Sequence, residues 1–196
     1  MKKAGKILVL GLVVGMMLMS VSFRVMAADP DPMWIWYPEE SGNPAQDAPS
    51  EDRYFVKTVD IANVPEYARI EISVDNSCTL YVNGEKVKDG ICWTPPLSCN
   101  ILSKLKKGKN IIAIQAGNAG GPAGLLVKAV IRTEDQKQIV VVSNENWLVS
   151  DQEVKGWLTG KTDSSFVKPT ELGDINCEPW NSVGGVHGKL LKSEEE

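Results

Sequence analysis

A single histidine, His187, serves a chain of 196 residues. A catalytic triad would therefore have almost no base to work with. The chain also has no Gly-x-Ser-x-Gly elbow, no phosphate-cradling glycine loop and no His-Glu-x-x-His motif. These absences remove the usual hydrolase, nucleotide-binding and zinc-protease signatures. Its four cysteines include no Cys-x-x-Cys pair and no Cys-x-x-Cys-His site, so neither a zinc cluster nor attached haem is indicated. No apolar stripe of helical period runs for a useful length; Lys104-Leu-Lys-Lys-Gly-Lys supports one turn at most. No internal repeat is present. Any acidic surface supplies the paired carboxylates of a glycosidase, but one small domain leaves no second domain to build a deep cleft. The expectation is a protein that is not an enzyme.

Long apolar runs are missing too, except at the start. Lys2, Lys3 and Lys6 precede an apolar stretch of 17 residues from Ile7 to Phe23, followed by small or tolerated residues up to Ala27 and Ala28. This pattern predicts a secretory signal peptide over residues 1–28, with an uncleaved anchor as the other reading. No other stretch is apolar enough to cross a membrane, so no stable membrane insertion is expected after cleavage. Export to the periplasm or the exterior follows. Removing Lys2, Lys3, Lys6 and Arg24 from the 21 basic residues leaves 17 against 25 acidic ones, a net charge of about −8. Such a surface repels nucleic acid and anionic lipid. Neutral glycans and other proteins remain as partners.

What is present is a succession of short β-runs. Tyr67-Ala-Arg-Ile-Glu-Ile-Ser-Val alternates apolar and polar residues, the mark of a half-buried strand. It leads through Asp75-Asn-Ser-Cys-Thr-Leu-Tyr-Val to Asn83-Gly84, a strong hairpin-turn signal. Strands are predicted at 34–37, 53–61, 68–75, 79–82, 111–116, 125–133, 138–143 and 147–150, with a further one near 165–168. Many short strands separated by turn residues indicate an all-β fold, a single antiparallel sandwich or barrel. Residues 29–185 are read as this domain and 186–196 as a charged tail.

Four cysteines in an exported chain point to two disulfides, with three pairings open. Cys92 and Cys99 flank Trp93-Thr-Pro-Pro-Leu-Ser and favour a local bridge, which leaves Cys78 with Cys177.

Several segments together resemble a known family. Trp34-Ile-Trp-Tyr-Pro, Arg53-Tyr-Phe-Val-Lys-Thr-Val, the Asp75–Gly84 stretch, Leu105-Lys-Lys-Gly-Lys-Asn-Ile-Ile-Ala-Ile-Gln-Ala-Gly-Asn, Gly124-Leu-Leu-Val-Lys-Ala-Val-Ile, Asn146-Trp147 and Glu178-Pro-Trp180 occur in order over roughly residues 33–183. The set is similar to the N-terminal sugar-binding β-sandwich of bacterial α-L-rhamnosidases, a branch of the galactose-binding-like jelly rolls. The resemblance implies a jelly-roll sandwich that binds a terminal neutral or deoxy sugar, rhamnose-like, without the catalytic barrel. It also implies sugar contacts by Asp75, Asn76, Trp93 and Asn118. The segment after Asn118, Ala119-Gly-Gly-Pro-Ala, departs from the family in lacking an aromatic.

The residue chemistry fits that implication. Sugars are bound by aromatic faces and by planar polar side chains on loops of a rigid scaffold. For Asp75 and Asn76 the bland alternative is a turn in which both side chains bond local backbone. Trp93 alternatively covers the sandwich end, and Asn118 alternatively sits in a plain glycine-rich connection. The other tryptophans, Trp34, Trp36, Trp147, Trp157 and Trp180, are expected to pack. The resemblance further implies a structural calcium at a loop edge, with Glu39, Glu40, Asn43 and Asp47 as candidate oxygens, although no Asp-x-Asp-x-Asp loop ending in Glu is present. The second functional class is an extracellular protein-interaction subunit on the same sandwich. Strand direction makes one sharper expectation: Asp75, Asn76, Trp93 and Asn118 converge at one end of the sandwich.

Overall fold

The computed structural model describes residues 29–40, 42–91 and 95–182. The predicted signal peptide, Cys92, Trp93 and the charged tail lie outside the described residues. The strands are β1 (Trp34–Trp36), β2 (Asp52–Ile61), β3 (Pro65–Asp75), β4 (Ser77–Val82), β5 (Glu85–Ile91), β6 (Leu97–Asn100), β7 (Gly108–Gly117), β8 (Gly124–Thr133), β9 (Gln138–Val142), β10 (Leu148–Ser150) and β11 (Thr170–Gly173). They form two antiparallel sheets. One has the order β11-β1-β8-β3-β6, with β9 also beside β8; the other has the order β10-β2-β7-β4-β5.

Alternation decides which side chains lie between the sheets. Ala68, Ile70, Ile72 and Val74 of β3 and Leu125, Val127, Ala129 and Ile131 of β8 face Phe55, Leu80, Ile112 and Ile114 across one buried core. Each of these residues is completely or almost completely buried. Full burial of such a side chain contributes roughly 1.5–3 kcal/mol, so this layer holds the sheets together. The expected all-β sandwich is therefore present.

A patch of each outer face is covered as well. Trp157, on a short 3₁₀ turn (Trp157–Thr159), packs with Phe166 over Val56, Ile111 and Ala113 of the five-stranded sheet. Trp180, on another 3₁₀ turn (Trp180–Ser182), packs with Trp34 and Leu126 over the six-stranded sheet. All five tryptophans expected to pack are buried.

The hairpin reads as the sequence predicts. Asn83 and Gly84 join β4 to β5 with φ of 53° and 89°, the two left-handed residues of a type I′ turn. At this end Asn83 Nδ2 donates to Lys104 O (2.8 Å) and Asn110 Oδ1 (2.9 Å). Its Oδ1 accepts from the Ile111 N–H (2.9 Å). Asn110, fully buried, accepts from Lys106 N–H (2.9 Å) and donates to Lys106 O (2.7 Å) and Gly108 O (2.8 Å). Every polar atom of both amides has a partner.

Three expectations about elements need correction. β5 and β6 are strands that the apolar pattern did not mark. β5 is a polar edge strand, exposed along nearly all its length and set by its pairing with β4. Residues 165–168 contribute one isolated bridge, Val149 to Val167, rather than a strand. The strand that follows is β11, paired with β1.

The expected disulfides are also corrected. Cys99 and Cys177 carry free thiols, so neither Cys92–Cys99 nor Cys78–Cys177 is formed. Cys78 points into the core between the sheets, whereas Cys177 packs with the Trp34–Trp180 cluster outside the six-stranded sheet. A sheet therefore separates them. Cys78 is disulfide-bonded, but not in either expected pairing.

Candidate functional site

Antiparallel pairing fixes one end of the sandwich. Ser77 and Asp52 both oppose Gly117, and Asp75 opposes Gly124. β3 and β7 thus finish where β2, β4 and β8 begin. Asp75 closes β3, and Asn118 follows the last residue of β7. The two residues share this end, as strand direction predicts.

Asp75 lies out of register with the core-facing Ile70, Ile72 and Val74, so it points to the outer face of its sheet. Its carboxylate is buried (6% exposed). Oδ2 accepts from Trp180 Nε1 (3.2 Å) and Oδ1 from Asn76 Nδ2 (2.7 Å). Burial pushes its pKa above the ordinary 3.8, against the lowering effect of these two hydrogen bonds. The Trp180 ring that supplies one donor stacks on Trp34, centroids 4.3 Å apart at 19°. Such a stack adds roughly 0.5–1.5 kcal/mol beyond burial. The close approach requires Gly124: a Cβ there would lie 2.7 Å from the Trp180 ring and 2.9 Å from that of Trp34.

Asn76 is half-buried and follows a cis peptide after Asp75. Its N–H donates to Gly117 O (2.8 Å) and its Oδ1 accepts from Ala119 N–H (2.6 Å). The side chain therefore joins Asp75 to the loop carrying Asn118. Asn118 is buried (7% exposed). Its N–H donates to Glu51 O (3.0 Å), and its Nδ2 donates to Ala48 O and Pro49 O (both 3.0 Å), with Gly121 O at 3.5 Å. Its Oδ1 is buried with no hydrogen-bond partner among the described residues. A buried amide oxygen left without a donor costs about 1–3 kcal/mol.

The structure thus brings together Asp75, Asn76 and Asn118. Trp93 lies outside the described residues. Sequence reasoning missed Trp180, which it read only as packing. Trp180 is buried as expected, and it also holds the Asp75 carboxylate. No local pattern signals a contact between residues 105 positions apart.

Of the calcium candidates, Glu39, Glu40 and Asp47 line one open cavity. Glu39 uses both oxygens on Arg53 and accepts from Trp36 Nε1, and Asn43 Oδ1 accepts from the Ala45 N–H of its own turn. Among the described residues no group of three or more His, Cys, Asp or Glu side chains could hold a metal ion.

The chain is 34% identical over 162 residues to an α-L-rhamnosidase of Streptomyces avermitilis, an alignment covering 78% of this chain and 15% of that enzyme. The crystal structure of the Streptomyces avermitilis α-L-rhamnosidase complexed with L-rhamnose superimposes with a TM-score of 0.70 at 30% identity, over 79% of this chain and 16% of that one. This is a galactose-binding-like β-sandwich, similar to one segment of an α-L-rhamnosidase. The Pleurotus ostreatus lectin in complex with GalNAc has a TM-score of 0.69 at 29% identity, covering 78% of this chain and 46% of the lectin. No protein-family profile matches the chain. The sandwich therefore spans about a sixth of the rhamnosidase and about half of the lectin. Its similarity to a sugar-cleaving enzyme and to a lectin supports a carbohydrate-binding module.

Proposed function

We propose that this chain is an exported, non-catalytic module that binds a terminal neutral or deoxy sugar, rhamnose-like, on a glycan. The observation that carries the reading is the Asp75 end itself. A buried carboxylate, a half-exposed amide and a buried amide oxygen without a donor among the described residues meet on two adjacent connections, β3–β4 and β7–β8. Sugar hydroxyls are both donors and acceptors and suit this mixture. L-Rhamnose with the rhamnosidase and GalNAc with the lectin support the ligand class. Trp93 is assigned the stacking role from the sequence. One small open site gives weak binding, about 0.1–1 mM or −4 to −5.5 kcal/mol for one sugar.

Isothermal calorimetry with L-rhamnose and GalNAc tests the reading. Asn76→Ala is expected to abolish measurable binding, and Trp93→Ala to cost at least about 1 kcal/mol. Wild-type affinity in Asn76→Ala would remove this end as the sugar site. The protein-interaction alternative has less support. Among the described residues the exposed large apolar side chains are Val64, Ile91 and Leu148. They stand on separate elements and make no continuous patch of the kind a protein partner needs.

A further inference from the structure

The loop clamped by Asn118 has a second face. Ala48, Pro49 and Glu51, whose carbonyls Asn118 holds, also form a wall of an open cavity of about 470 Å3. Tyr37, Arg53 and Asp151 line it too. Arg53 is 2% exposed. Its Nε and Nη2 donate to Glu39 (2.8 and 2.9 Å), and its Nη1 to Glu51 (3.0 Å) and Asp52 O (2.9 Å). A guanidinium has five N–H groups, so one Nη2–H has no acceptor among the described residues. The same guanidinium lies over the Tyr37 ring, 5.3 Å from its centroid. The Tyr37 hydroxyl also has no hydrogen-bond partner among the described residues. Burial, then Asp151 and Glu39, push its pKa up, so it stays a neutral donor.

The cavity thus offers a spare buried donor, a free phenol, an aromatic ring and exposed carboxylates. Its acidic groups are spread around the space and do not converge on a point, since no three of them could hold a metal ion. A sugar hydroxyl accepts from Arg53 and donates to a carboxylate in the same contact. A volume of this size also holds a monosaccharide. We propose that this cavity is a second saccharide pocket, taking a neutral sugar unit with Arg53 as donor and Asp151 as acceptor. The proposal rests on the glycan-binding reading above. Asn118 of the first site holds the Ala48–Glu51 segment that walls this cavity, so one branched or extended glycan can engage both places together.

Amide NMR titration of the full chain with L-rhamnose and with GalNAc tests this, in the wild type and in Asn76→Ala and Asp151→Ala. The expected result is two sets of shifts, one at Asn76 and Ala119 and one at Tyr37 and Asp151. The second set persists in Asn76→Ala and weakens about 3-fold or more in Asp151→Ala, as loss of one hydrogen bond implies. Shifts confined to Asn76 and Ala119 overturn the second pocket and leave the first reading standing. Shifts at Tyr37 and Asp151 alone support the second pocket and overturn the first site. Silence at both places with both sugars overturns both.

Discussion

β4 and β7 run side by side from one end of the sandwich to the other, and each end carries two asparagines. At the hairpin end, Asn83 and Asn110 satisfy every polar atom of their amides within the protein. At the other end, Asn118 clamps a loop with its NH2 group but leaves its oxygen buried and without a partner among the described residues. The same residue type thus closes one end and leaves hydrogen-bonding capacity at the other. Residue type alone does not separate a structural amide from a binding one. Leftover capacity does.

The largest expected effect breaks the closed end. Asn110→Ala strands the Lys106 and Gly108 backbone groups and the Asn83 amide. It is expected to cost about 2–4 kcal/mol in urea unfolding while sugar affinity of the folded protein is unchanged. A loss below about 1 kcal/mol would mean that this network is not structural. Next in size is Gly124→Ala at the open end. The added Cβ must displace the Trp34–Trp180 pair, and a loss of about 1–3 kcal/mol is expected in thermal unfolding, together with weaker sugar binding. Unchanged binding would uncouple Trp180 from the site.

Asp75 supplies a subtler contrast with Asp135. Burial holds Asp75 above 3.8, whereas hydrogen bonds from Lys137 and Thr133 hold exposed Asp135 at about 2. In the window from the ordinary value up to the raised one, the folded state binds more protons at Asp75 than the unfolded state does. Its contribution to stability therefore falls as pH rises through that window. Asp135 acts in the opposite sense: its contribution is present above 3.8 and lost as pH falls toward 2. Carboxyl carbon NMR titration should place the Asp75 midpoint above 3.8 and that of Asp135 well below it, and Asp75→Asn should remove the first slope. The reverse order of midpoints would refute the burial argument.

The smallest effect concerns covalent chemistry. Cys78 faces Gly90 across β4 and β5, and two residues further along lies Cys92. Non-reducing peptide mapping is expected to link Cys78 with Cys92 and to find Cys99 and Cys177 alkylated. A Cys78–Cys177 peptide would contradict the separation of the two by the six-stranded sheet.

Much of the fold was legible because its signals are local. The alternation in β3 and the Asn83-Gly84 turn each specify their own geometry within a few residues. β5 and β6 were not legible, because a polar edge strand acquires its conformation from its neighbour. The disulfides were misread for a related reason: spacing along the chain says nothing about which face of a sheet a cysteine occupies. For the site, Asp75, Asn76 and Asn118 were legible as loop residues, and strand direction placed them together. The unpartnered Asn118 oxygen and the Trp180 contact were not, since both depend on what packs from distant parts of the chain.

The hydrogen bond from Trp180 to Asp75 ties a late segment of the chain to a residue at the candidate site. That segment is held by this hydrogen bond, one ring stack and a few apolar neighbours, so it detaches at lower free energy than the sheets separate. When it lifts, Asp75 loses its indole donor and meets water. A ligand that contacts Asp75 therefore recognises only the docked population, and its apparent affinity is the intrinsic one scaled by that fraction.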